Sequence, residues 1–154
     1  MLPVLKPHGG DEEIEALSKV IKSGWWGKGP KVAEFEEKFA EMVGAKYAVA
    51  VTSNSAGQDL IMKALDIRDG DVINPTISFM ATAMIPLWQP NITTNVVDVD
   101  PYTMCIDVDD VKRSITPNTK AIIAVNQAGI PAPIDKIREF YDGFIIEDCA
   151  HSCY

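Results

Sequence analysis

Five short apolar runs, each of strand length, alternate along the chain with segments of helical period: residues 47–52, 71–75, 95–99, 120–126 and 144–148. Strands this short and this uniformly apolar are buried on both faces, and helices between them supply the crossovers that parallel pairing needs. The pattern predicts an α/β fold, a mostly parallel sheet with helices on both faces. With 154 residues, 47% apolar and 23% charged, the chain can bury a core, which excludes a disordered or fibrous chain.

The intervening segments carry their own signals. Glu12 and Glu13 follow Asp11, a candidate helix cap, and Ile14, Leu17, Val20 and Ile21 fall on one face before Gly24. Trp25 and Trp26 stand among glycines in a loop whose backbone can approach a ligand closely. A second helix starts at Pro30 and runs to about Val43, with Val32, Phe35, Phe39 and Met42 on its apolar face and Gly44 after it. Further helices are expected over 55–65, 79–88, 107–115 and 134–141. Residues 1–45 thus form a helical arm leading into an α/β layer that starts at 46. The chain stops six residues after the last strand, with no helix to cover it. Met1 reads as a genuine start and Tyr154 not as a natural end; the uncovered apolar surface calls for another chain.

Charge and targeting narrow the function. Lys plus Arg is 14 and Asp plus Glu 22, a net charge of −8 with no basic stripe, which argues against nucleic acid and anionic membranes as partners. The longest apolar stretch, 79–88, is broken by Thr82 and Pro86 and is too short to span a bilayer. The N-terminus lacks the regions of a signal peptide, and three cysteines read as reduced thiols, so a cytoplasmic protein is expected.

In open α/β sheets ligands gather at the carboxyl ends of the strands. After the first run come Ser53, Asn54 and Ser55, entering a helix, where free N–H groups suit a phosphate; simple capping by Ser53 or Ser55 explains them equally. Neither a P-loop nor a Gly-x-Gly-x-x-Gly turn is present, which counts against an unrelated nucleotide-binding domain. After the second run comes Phe79, a core residue or a platform for a flat ligand. The last run ends in Glu147-Asp148; a carboxylate there can keep a heterocyclic nitrogen protonated, or merely cap a turn. Cys149, His151 and Cys153 alternate in a way unlike a zinc knuckle, with no evident fourth ligand, so no metal is assigned.

From Pro3 to Tyr154 the chain resembles, in order, the N-terminal part of the DegT/StrS-type sugar aminotransferases. The resemblance rests on Ser23-Gly24-Trp25 with Gly29-Pro30, Gly44-Ala45-Lys46-Tyr47, Gly70-Asp71-Val72-Ile73, Phe79-Met80-Ala81-Thr82, Val97-Asp98-Val99-Asp100 and Ile146-Glu147-Asp148. It implies a pyridoxal 5′-phosphate enzyme of the aspartate aminotransferase fold. It also implies transfer of an amino group from an amino acid to a keto-sugar nucleotide, in a homodimer. By position, it implies that Asn54 and Ser55 meet the cofactor phosphate, Phe79 stacks on its ring, Asp148 pairs with the ring nitrogen and His151 reaches the phenolic oxygen. Trp25 and Trp26 would lie at the substrate mouth. Asn54 replaces the family's usual Gly, His151 its usual Gln, and Asn126-Gln127-Ala128-Gly129 a typical His-Leu-Tyr-Gly. The resemblance places the lysine that binds the cofactor covalently, and the small domain, beyond residue 154, so 46–154 is expected to be an incomplete large domain, inactive alone. The alternative is a non-catalytic binding or assembly module that keeps the fold.

Overall fold

The computed structural model describes residues 6–152, which fall into two compact units divided between Ala50 and Val51. Cys153, and with it the Cys149/His151/Cys153 trio, lies outside the described residues, as does the N-terminal Met1.

The first unit holds two helices, α1 (Asp11–Ser23) and α2 (Pro30–Met42). Gly10, rather than Asp11, caps α1: the Glu13 carboxylate reaches back to accept the Gly10 N–H at 2.7 Å, leaving three acids in the first turn. Gly24 ends α1 in the left-handed conformation, at φ 71°. The expected apolar stripes are present but Ile14, Leu17, Ile21, Phe35 and Met42 remain exposed, and Ala40 is the one buried residue of the two helices.

The second unit is a four-stranded, wholly parallel sheet. In chain order its elements are α3 (Asn54–Ala64), β1 (Asp69–Pro75), α4 (Met80–Met84), β2 (Asn91–Val97), α5 (Val108–Ser114), β3 (Thr119–Val125), α6 (Ile134–Arg138) and β4 (Phe144–Asp148). The strand order is β2-β1-β3-β4. Strand alternation divides the core in two. Val72, Ala121, Ile123 and Ile146 face Met62 of α3 and Ile85. Ile73, Ile122 and Ala124 face Val111 of α5 and Ile137 of α6. Helices therefore cover both faces, as the sequence pattern requires.

Four strands form where five were expected. Residues 47–52 pair with no strand among the described residues, the Ala50 N–H donating instead to Glu36 Oε1 at 2.9 Å, and Tyr47, Val49 and Val51 are exposed. An apolar run becomes a strand only when a neighbour takes its backbone hydrogen bonds. The third run begins earlier than expected, at Asn91, and ends at Val97. The 79–88 helix splits into α4 and a 3₁₀ turn over Pro86–Trp88, because proline has no N–H to continue the helix.

Candidate functional site

The carboxyl end of β4 delivers Asp148 onto the face that α3 and α4 cover, and the side chain is 5% exposed. A carboxylate so buried needs partners. Ser53 starts α3 by accepting the Ala56 N–H at 3.1 Å, which places Asn54 and Gln58 one turn apart on the inward side. Asn54 Nδ2 donates to Asp148 Oδ1 at 2.8 Å, and Gln58 Nε2 donates to Oδ2 at 2.7 Å. Gln58 Nε2 also donates to Asn54 Oδ1 at 2.7 Å, closing a ring of three side chains. Thr82 of α4 adds a longer contact to Oδ2, 3.4 Å, and the Ala150 N–H one to Oδ1, 3.1 Å. Each of these groups donates to a carboxylate oxygen.

Phe79, the cap residue of α4, stands one turn before Thr82 and is 75% exposed, so its ring is free to stack rather than part of the core. The N–H groups of Asn54 and Ser55 open α3 without intrahelical acceptors. These features suit a flat, cationic ring bearing an anionic group: a carboxylate for a ring N–H, an exposed aromatic face and a helix N-terminus.

A second network props the strand ends. Asn126, buried after β3, donates from Nδ2 to Glu147 Oε1 at 2.8 Å, with Ser152 Oγ and Cys149 Sγ at 3.2 and 3.3 Å. Its Oδ1 accepts the Ala132 N–H at 2.9 Å, and its own N–H donates to the Asp148 carbonyl at 3.0 Å. Burial, and then the Glu147 charge, push the Cys149 thiol up from its ordinary pKa, so it is a poor nucleophile.

His151 is held elsewhere. Its Nδ1 accepts the Ala128 N–H at 3.1 Å, which ties it to the turn after β3, and it makes no polar contact with Asp148, Asn54 or Gln58. Trp25 and Trp26 belong to the first unit. Their indole N–H groups donate to the Lys28 and Ile21 carbonyls, while their rings line a cleft of about 440 Å³ with Lys19, Val32 and Lys31. Gly29 is required there, since a Cβ would fall on the Trp25 indole. Among the described residues, no group of three or more His, Cys, Asp or Glu side chains could hold a metal ion.

The structure thus brings together Asp148 and Asn54, with Ser55 next to Asn54 and Phe79 three residues before Thr82, and adds Gln58 and Thr82, to which the sequence reading gave no site role.

Known structures share this fold. An E. coli GDP-4-keto-6-deoxy-D-mannose-3-dehydratase with bound hydrated PLP matches with a TM-score of 0.88 at 30% identity, over 95% of this chain and 40% of its own. An aminotransferase from Psychrobacter cryohalolentis matches with a TM-score of 0.86 at 31% identity, over 95% and 38%. A 3-amino-5-hydroxybenzoic acid synthase matches with a TM-score of 0.88 at 30% identity, over 95% and 39%. The chain therefore spans about two fifths of the length of these proteins. The DegT/DnrJ/EryC1/StrS aminotransferase profile matches residues 7–154, nearly the whole sequence, and the chain belongs to that family.

Proposed function

We propose that this chain supplies the cofactor-holding floor of a pyridoxal phosphate enzyme that moves an amino group from an amino acid to a keto-sugar nucleotide. One observation carries the reading: a buried carboxylate at the sheet's carboxyl edge, gripped by amide donors from α3 and touched by Thr82 of α4, the helix that the exposed Phe79 caps. Pyridoxal phosphate, when bound, would supply in its protonated ring an electron sink for the carbon next to the substrate nitrogen. Asp148 would hold the proton on the ring nitrogen, its charge favouring the cationic ring. Phe79 would cover one ring face, and Ser55 with the first turn of α3 would hold the phosphate. His151 would reach the phenolic oxygen only after releasing the Ala128 N–H. Trp25 and Trp26 would wall the substrate mouth.

The resemblance matches no lysine of residues 1–154 to the one that holds the cofactor covalently, so the role proposed for these residues is binding without turnover. The arm over 1–45 and the partial large domain over 46–154 would act with a second copy. Exposed Met80, Met84 and Trp88 favour such a homodimer, and favour equally the second reading, an assembly module without catalysis. A cytoplasmic setting fits both, and no helix among the described residues is long and apolar enough to cross a membrane.

Titration of the chain with pyridoxamine 5′-phosphate, followed by its fluorescence, tests the reading. We expect saturable binding that Asp148→Asn weakens about tenfold or more, the scale of one lost charge-assisted hydrogen bond. Binding indifferent to Asp148→Asn, or none, overturns it. A borohydride-trapped pyridoxyl group on one defined lysine, with turnover, overturns the assignment of binding alone.

A further inference from the structure

The three side chains around Asp148 are unequal. Gln58 is 3% exposed and sits beneath the carboxylate, whereas Asn54 is exposed at the start of α3. Both hydrogens of the Gln58 amide are used, one on Asp148 Oδ2 and one on Asn54 Oδ1. Its own oxygen, Oε1, is buried with no partner among the described residues. Such an orphan is costly and marks a side chain whose orientation is dictated by something else. Here the cause is visible. Flipping the amide would point Oε1 at the carboxylate oxygen, so the group accepts one stranded acceptor to keep two donors in place.

We propose that Gln58 is a positioning residue for Asp148, and that Asn54 is an exchangeable cap on the oxygen offered to the ligand. Gln58, with Thr82 at 3.4 Å, holds Oδ2 and so fixes the carboxylate plane, while Oδ1 is held by the Ala150 N–H and by the exposed Asn54. Asn54 Nδ2 occupies Oδ1 in the free protein. A ring N–H arriving from solvent takes that place, and the Asn54 amide swings out to water. This rests on the reading of Asp148 as the partner of a ring nitrogen.

The test compares pyridoxamine 5′-phosphate with its 1-deaza analogue, which has carbon at the ring position that faces Asp148. Pyridoxamine phosphate has no aldehyde, so stray lysines do not capture it. The readout is the ratio of the two dissociation constants in wild type, Gln58→Leu and Asn54→Gly. Wild type should prefer the nitrogen ring about tenfold or more. Gln58→Leu should bring the ratio close to one while the 1-deaza affinity stays within about twofold, a pattern that general loosening of the fold does not produce. Asn54→Gly should keep the preference. An undiminished ratio in Gln58→Leu overturns the positioning role and leaves the cofactor reading standing. A ratio near one in wild type overturns that reading, and this proposal with it. A ratio lost in Asn54→Gly overturns the exchangeable cap. Should Gln58→Leu fail to fold, the Gln58 side-chain amide signals in a ¹H–¹⁵N spectrum decide. They should move on Asp148→Asn, and signals that stay in place overturn the proposal.

Discussion

Asn126 ties the ends of β3 and β4 to the segment before α6, and its removal can be worked from the contacts. Asn126→Ala strands the Ala132 N–H, a buried donor, at a cost of about 1–3 kcal/mol. It also deletes the Nδ2 contacts to Glu147, Ser152 and Cys149, of which two at most can be made at once by two hydrogens. Glu147 is exposed and Ser152 and Cys149 are half-buried, so water replaces part of that loss and the two bonds contribute about 0.5 kcal/mol each. The total is about 2–4 kcal/mol. Equilibrium urea unfolding followed by far-ultraviolet circular dichroism measures it, with an unchanged slope. Asn126→Asp separates the two parts. It keeps an acceptor for the Ala132 N–H but sets a carboxylate against Glu147 Oε1, so it should be less stable than Asn126→Ala at neutral pH. It should recover as pH falls and one of the two acids takes up a proton. An Asn126→Ala midpoint equivalent to less than about 0.5 kcal/mol, or an Asn126→Asp variant that gains nothing on acidification, refutes the reasoning.

Two further outcomes follow from local geometry. Gly70→Ala should destabilise the second unit by more than about 2 kcal/mol in the same urea assay, because φ is +91° and a Cβ would fall on the Asn118 carbonyl oxygen; a loss below about 1 kcal/mol counts against it. In the first unit, Lys31 and then Lys38 hold the Glu34 carboxyl at about 2, well below its usual 4.5. A depressed folded value means that the contribution to α2 is present above the unfolded pKa and is lost as pH falls toward about 2. A carboxyl NMR titration should show that low midpoint, rising in Lys31→Ala; an ordinary midpoint in the wild-type chain would remove the ion pairs from solution.

Much of the second unit can be read before any coordinates. β4 occupies Phe144–Asp148, the predicted residues, because its run is bounded by Asp142-Gly143 and by two acids. Asp107 caps α5 where a helix start was expected, accepting the Asp110 N–H at 2.7 Å. Local signals of this kind travel with the residues that carry them. Residues 47–52 show where locality ends. Their composition is as strand-like as that of β3, yet pairing is a property of two segments, and no strand meets them among the described residues. The apolar stripe of α1 errs for the same reason: its period is right for a helix, but period alone does not say what covers it.

The site divides along the same line. Asp148 is legible because a strand end advertises its own position, whereas Gln58 meets it across 90 residues of sequence. One signal for Gln58 was nevertheless available. Asn54, Gln58 and Met62 lie four apart on one helix, and Met62 belongs to the core-facing stripe, fully buried in the fold. Two amides that continue an apolar stripe toward a helix N-terminus bring the inner one, Gln58, into the interior, and a buried amide requires partners. The strand ends on the same sheet face are the nearest source of acceptors, and only one described strand, β4, closes on a carboxylate facing that way. Read in this order, the misplaced polar residues of α3 point at Asp148 as firmly as Asp148 points at a ligand.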